Sequence, residues 1–89
     1  MSDPTVRCWL VERDFGARNI VTLVYATPDG SQYHRRERSS TALRTGSAVT
    51  AATDVPESDL ESVDDAETRD RYATEVDRVR EQYEPDDSI

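Results

Sequence analysis

The chain has 89 residues and a formal net charge of −8, from 19 acidic and 11 basic side chains. This length suits one small domain. No apolar run approaches the roughly 18 residues of a membrane helix, and the start of the chain lacks the charged-then-apolar pattern of a signal peptide. A single cysteine excludes an internal disulfide and a cysteine-rich zinc fold. We therefore expect a soluble, cytoplasmic protein.

The first third of the chain has the residue pattern of β-strands. Residues 5–11 alternate regularly and are rich in β-branched and aromatic side chains, which predicts a strand. One side of this strand carries Val6, Cys8 and Leu10, and the other carries Arg7, Trp9 and Val11. Residues 14–18 are predicted to form a loop in which Gly16 is free to adopt a positive φ. The run Ile20–Ala26 is apolar on both faces, which is typical of a central strand.

A hairpin and a fourth strand are predicted next. Thr27–Gly30 has the proline and glycine positions of a type I turn, which closes a hairpin onto Ser31–Arg38. That third strand is polar on both faces, so it belongs at a sheet edge. Residues 39–46 are predicted to be a connection with one helical turn around Leu43, and the alternation within Ala48–Asp54 favours a fourth strand.

After Val55 the apolar period becomes helical. Asp54 and Pro56 predict a short helix that packs Leu60 and Val63 inward. Asp64 and Glu67 resemble a capping box at the start of a long helix, which should end near Tyr83, before Pro85. Its apolar stripe, at intervals of four, three and four residues, is Tyr72, Val76, Val79 and Tyr83. Residues 84–89 are predicted to be a frayed acidic tail.

These elements predict one α+β domain: an antiparallel three- to four-stranded meander sheet packed on one long C-terminal helix, with a short helix before it. The sheet region is 5–54, the helical region 55–83 and the tail 84–89. One helix covers one face of a sheet, so we expect the other face to be open and apolar. The residues expected there are Trp9, Val11, Val21, Leu23 and Tyr25. A symmetric homodimer would cover them.

All 11 basic residues are arginine, although five or six lysines are expected at about average usage. Such a composition suits molar salt, where charges are screened beyond about 3 Å and the weakly hydrated guanidinium still pairs with carboxylates. Through its composition and the order of its elements, the whole chain resembles small uncharacterised haloarchaeal acidic proteins. The resemblance implies a halophilic, cytoplasmic protein and carries over no catalytic residues.

Catalytic and cofactor motifs are missing from the sequence. Cys8 and His34 are the single thiol and the single imidazole, and Cys8 shares its side of the strand with apolar residues, which favours a buried structural thiol over a nucleophile. The chain has no glycine-rich phosphate loop, and its acid pairs lack the alternating spacing of a calcium loop. We expect no enzymatic activity, no cofactor and no metal.

One cluster of basic and aromatic residues could bind a partner. Residues 1–50 carry seven arginines and five acids, whereas residues 51–89 carry four arginines and fourteen acids. The candidate binding or pairing residues are Arg7, Trp9, Tyr33, His34, Arg35, Arg36 and Arg38. Their arginines could pair with the acidic half of this chain or of a neighbouring subunit, or bind a protein partner, or bind single-stranded nucleic acid with aromatic stacking. We expect a non-enzymatic interaction or oligomerisation domain, with a nucleic-acid-binding module using residues 33–38 as the alternative.

Overall fold

The computed structural model of the chain describes residues 4–16, 19–39 and 49–88. Five antiparallel strands form one sheet in the order β4-β1-β2-β3-β5. The strands are β1 (Thr5–Phe15), β2 (Ile20–Ala26), β3 (Gln32–Ser39), β4 (Ala52–Pro56) and β5 (Glu61–Ser62), and they are followed by the helix α1 (Ala66–Gln82). The predicted α+β fold, with one C-terminal helix on an antiparallel sheet, is confirmed, and the sheet has one strand more than the expected maximum.

The meander β1-β2-β3 has the predicted order, with β2 in the centre. The fourth strand begins at Ala52, later than predicted, and pairs with β1 instead of continuing the meander beyond β3. Val55 of β4 lies opposite Val6 and is fully buried, whereas the charged edge of β3 offers no such apolar partner. The predicted helical turn around Leu43 lies outside the described residues.

A β-bulge at Val11 divides β1 into two parts. Leu10 pairs with Tyr25, but Glu12 already pairs with Val24, so Val11 is the extra residue. A bulge of this kind exchanges the faces of every side chain that follows it. Glu12 consequently faces α1, where its Oε1 atom lies 3.3 Å from Nη2 of Arg71.

Apolar clusters lie on both faces of the sheet. The cluster on the side of α1, the helix face, consists of Trp9, Val24, Ala26, Ala51, Ala52, Val63, Tyr72, Val76 and Val79. The cluster on the opposite side, the second face, consists of Cys8, Leu10, Val21, Leu23, Tyr25 and Val55. The strict alternation of β2 explains why this strand contributes to both.

The prediction that the second face of the sheet is open and apolar is wrong. Trp9 and Val11 pack in the helix-face cluster, while Val21, Leu23 and Tyr25 on the second face are only 1–3% exposed within a single chain. Chain segments on either side of β4 contribute to this burial, since Val49 and Leu60 pack against the second-face cluster. These five residues therefore offer little open apolar area, and the oligomeric state stays a prediction.

The β2–β3 turn has the predicted type I hydrogen bond, because Gly30 N donates to the Thr27 carbonyl at 2.8 Å. Asp29 Oδ1 accepts hydrogen bonds from the Ser31 backbone N–H and from the hydroxyls of Thr27 and Ser31. These bonds lower the pKa of Asp29 to about 2. Gly30 has φ +73°, and its backbone lies directly against α1.

Gly16 does not adopt the positive φ that is open to glycine. Among the described residues, Asn19 (φ 63°) and Gly30 have positive φ. Asparagine tolerates the left-handed region better than most residues, because its short polar side chain can hydrogen-bond locally. In place of a loop starting at residue 14, β1 continues to Phe15, and Gly16 N donates to the Ile20 carbonyl at 2.8 Å.

The N-cap of helix α1 lies one residue later than predicted, and the helix itself begins at Ala66. Asp65 is the N-cap, and its Oδ2 accepts from Thr68 N at 2.9 Å and from Thr68 Oγ1 at 2.7 Å. The hydrogen bonds from Thr68 lower the pKa of Asp65. Asp64 and Glu67 thus do not form the predicted capping box. The stripe is confirmed, with Tyr72, Val76 and Val79 buried and Tyr83 half-buried.

The segments around the helix differ from expectation. The predicted short helix is a single 3-10 turn, Glu57–Asp59, after Pro56. The prediction of a frayed tail is wrong for residues 84–88. Ala51 N donates to the Asp87 carbonyl at 2.9 Å, and Ala52 N donates to the Pro85 carbonyl at 3.1 Å. The start of β4 has edge N–H groups that need acceptors, and the carbonyls after α1 supply them.

Candidate binding surface

The sheet divides the predicted cluster between its two faces. Side chains alternate along a strand, and the residues paired with β2 place Tyr33 and Arg35 on the helix face, with Ala26 and Val24. Arg7 lies on the same side of β1 as Trp9. The second face carries His34, Arg36 and Arg38, opposite Tyr25, Leu23 and Val21. The seven residues therefore do not form one site.

Trp9 and Tyr33 do lie in one row across the sheet, with Ala26 between them. This row is covered by α1: Trp9 is 7% exposed, and the guanidinium of Arg80 lies 6.0 Å from its ring centroid. Tyr33 is half-buried in the same cluster, and its hydrogen bond with Glu61 raises its pKa. The ring of Trp9 is therefore not open to stacking by a nucleic-acid base.

Pairing of the arginines with the acidic half of the chain is found for Arg7. Its Nε lies 3.5 Å from Asp54 Oδ1, but both side chains are more than half exposed, so the pair contributes little to stability. Within the described ranges, no ion pair involves Arg35, Arg36 or Arg38.

A different group of residues meets at the far end of the second face. The strand pairings place Arg13, Leu23 and Arg36 in one row, and Phe15, Val21 and Arg38 in the next. Phe15 is 73% exposed, Arg13 and Arg38 are exposed, and Arg36 is half-buried. We call Arg13, Phe15, Arg36 and Arg38 the arginine surface.

The electrostatics of Tyr25 show that the three guanidinium groups act on one location. Arg36 lies over the Tyr25 ring, 5.6 Å from its centroid, which is within the range of a cation–π contact. Burial raises the pKa of Tyr25, while the positive charges of Arg36, Arg38 and Arg13 oppose that increase. Three positive charges thus lie near Tyr25 on the second face of a protein with a net charge of −8, and exposed Phe15 lies on the same face.

Sequence reasoning missed Arg13 and Phe15 because of the bulge. Uninterrupted alternation from Val6 would place both side chains on the face of Trp9, away from Arg36 and Arg38. One extra residue at Val11 moves them to the second face. No proline, glycine or other local signal in residues 10–12 indicates a bulge.

Cys8 and His34 do not form a catalytic pair. Both belong to the second face, but they lie on β1 and β3, with β2 between them. Cys8 is fully buried, and its Sγ lies 3.6 Å from the Val6 carbonyl oxygen. His34 Nδ1 lies 3.4 Å from the Asp59 carbonyl oxygen, at the edge of the sheet. In the described part of the chain, no group of three potential ligands is placed to hold a metal ion.

Comparison with known proteins gives a family. Residues 2–89 match the model of a family of unknown function, DUF7967. The chain belongs to DUF7967. No curated protein and no solved structure matches the chain. Within the described residues, this DUF7967 chain has no helix with the length and apolar character needed to cross a membrane.

The Cys8 thiol of this DUF7967 chain is expected to resist alkylation in the native state. Burial, and to a lesser extent the charge of Asp54, raises its pKa to about 11, and the thiolate is the reactive form. Iodoacetamide at pH 8 should label the native protein at least tenfold more slowly than the urea-unfolded protein, as measured by mass spectrometry. Equal labelling rates in the two states would show that the thiol is accessible.

Proposed function

We propose that this DUF7967 chain is a non-enzymatic interaction domain that binds an acidic protein through its arginine surface, in a cytoplasm at molar salt. The observation that carries the proposal is that Arg36, Arg38 and the exposed side chain of Phe15 lie on one face of the sheet, with Phe15 and Arg38 in the same row. Arginine and aromatic residues are enriched at protein interfaces, where an aromatic anchor and paired charges supply most of the binding energy.

The salt conditions favour an acidic protein as the partner. At about molar ionic strength the Debye length is roughly 3 Å, so repulsion between two acidic proteins is screened except at contact. Bidentate pairs between guanidinium and carboxylate groups still form at contact distance. A protein from the same cytoplasm would carry a similar carboxylate-rich surface, which the arginine surface complements.

Single-stranded nucleic acid fits the arginine surface less well. Of the expected stacking residues, Trp9 is buried beneath α1 and Tyr33 is half-buried in the same cluster. Three phosphate contacts, at a slope near −0.9 each, would lose roughly 3–4 decades of affinity between about 0.15 M and 3 M salt. The one exposed aromatic side chain of the surface, Phe15, would have to compensate for that loss by stacking.

A photocrosslinking amino acid at position 15 tests the proposal in cells of the native host. We expect a discrete adduct with an acidic protein, either a second copy of this chain (sequence pI about 4.5) or another protein. The double variant Arg36→Glu/Arg38→Glu should lose the adduct. The matched control places the crosslinker at exposed Asp77 on α1. A nucleic-acid adduct at position 15, or equal adducts at both positions, would overturn the proposal.

The fold itself is expected to require salt. Self-repulsion at a net charge of −8 destabilises a small domain in dilute buffer and is screened as salt rises. The urea midpoint should therefore increase continuously from 0.1 M to 3 M KCl, as followed by circular dichroism. Replacing exposed Asp70, Asp77 and Glu81 with their amides should shift the curve to lower salt. A urea midpoint independent of KCl would contradict adaptation to brine.

A further inference from the structure

The outer edge of β3 has open pairing positions next to the arginine surface. Strand β5 pairs with β3 at Gln32 and Tyr33. From His34 to Arg38, no other strand among the described residues pairs with this edge. This part is about five residues long, the length of an ordinary strand.

The direction of the backbone groups along this edge follows from the hairpin. The Gln32 carbonyl accepts from Thr27 N at 3.0 Å, so the backbone groups of residue 32 point toward β2. The Ser31 carbonyl accepts from Val63 N at 2.8 Å, so it points to the outer side of β3. Backbone groups alternate in direction along an antiparallel strand. The N–H and C=O groups of Arg35 and Glu37 therefore point outward.

The side chains beside these groups would select a partner by charge. Arg36 and Arg38 lie on the second face, and their backbone groups point toward β2. A residue of an added strand opposite either arginine would form a non-hydrogen-bonded pair with it, the type of pair in which side chains approach most closely. Where β5 ends, a cavity of about 470 Å³ is lined by His34, Arg35, Asp59 and Glu61. The cavity lies where the pairing of β3 with β5 stops.

We infer that the β3 edge accepts an extended strand of the acidic partner, in the antiparallel direction. Its backbone would hydrogen-bond to Arg35 and Glu37, and carboxylates at alternate positions would lie opposite Arg36 and Arg38. A second copy of β3 is disfavoured as the added strand. If Arg35 of one copy paired with Glu37 of the other about a two-fold axis, the two Arg36 side chains would lie directly opposite each other, and like charges in that position are destabilising. The inference rests on the proposed function and adds the mode of binding.

A labelled nine-residue peptide that alternates glutamate with valine and threonine tests this mode by fluorescence anisotropy in 2 M KCl. We expect the wild-type protein to bind it at least tenfold more tightly than the same peptide with lysine in place of glutamate. Glu37→Pro should weaken binding at least tenfold, whereas Glu37→Thr, which keeps the outward N–H, should retain it. Proline at an outward-facing edge position removes no ladder hydrogen bond, so the fold should persist.

Peptides N-methylated along one edge or along the other provide a second measurement that uses the wild-type protein. Methylation of the edge that faces β3 should abolish binding, and methylation of the opposite edge should leave it unchanged. Equal binding of both peptides, or of the Glu37→Pro and Glu37→Thr variants, would overturn strand addition. If the position-15 adduct still depended on Arg36 and Arg38 in that case, the proposed function would stand without this mode.

Discussion

Alanine at position 30 is expected to destabilise the domain by more than about 3 kcal/mol, enough to unfold much of it. A Cβ at Gly30 would overlap the Arg69 carbonyl oxygen of α1 and lie 2.9 Å from Ala73 N. Helix backbone cannot move aside as a flexible side chain can, and the φ of +73° adds strain for any L-residue. Urea unfolding in 2 M KCl, followed by circular dichroism, measures the loss.

Gly16→Ala is the matched control for this substitution. Its Cβ would lie 3.4 Å from the Ile20 carbonyl oxygen, an ordinary van der Waals contact, and its φ is outside the left-handed region. We expect a change of less than about 1 kcal/mol. Equal effects of the two substitutions would show that the β2–β3 turn does not pack against α1 as described.

Trp9→Ala is expected to reduce the free energy of unfolding by about 3–5 kcal/mol. The indole fills the space between the sheet and α1 and lies beneath the guanidinium of Arg80. Trp9→Phe should cost less, because it keeps most of the buried apolar area. Thermal and urea unfolding at high salt measure both variants.

Phe15→Ser is the matched control, because Phe15 is an aromatic residue on the same strand but is 73% exposed. Its stability should change by less than about 0.5 kcal/mol, while the arginine surface loses its anchor. The reverse pattern, with a stable Trp9→Ala protein that no longer binds its partner, would return Trp9 to the binding site that the sequence predicted.

Local signals predicted much of this fold. The stripe of α1 and the β2–β3 turn depend on residues within one or two turns of chain, and both agree with the structure. The partner of β4 could not be predicted in this way, because Val55 pairs with Val6 across nearly fifty residues of sequence. The choice depends on which edge buries Val55, and alternation within a single strand does not contain that information.

The candidate site shows the same limit. Arg36 and Arg38 were predicted together because they are two apart on one strand, and the structure keeps them on one face. Trp9 was assigned to the site from its residue type, although its position opposite Ala26 places it beneath α1. The N-cap of α1 is Asp65 and not the predicted Asp64. Both adjacent carboxylates are suitable N-cap groups, and the hydrogen bonds from Thr68 to Asp65 determine which one caps the helix.

The extra residue at Val11 also gives the sheet an electric polarity across its thickness. Beyond the bulge, the strands carry three acids (Glu12, Asp14 and Glu37) and one base (Arg35) on the helix face, whereas Arg13, Arg36 and Arg38 lie on the other side. In dilute buffer such a moment would rotate an approaching charged molecule and accelerate encounter. In brine this torque vanishes beyond a few ångströms, so encounters stay at their unsteered rate and discrimination among partners depends on how long each complex survives.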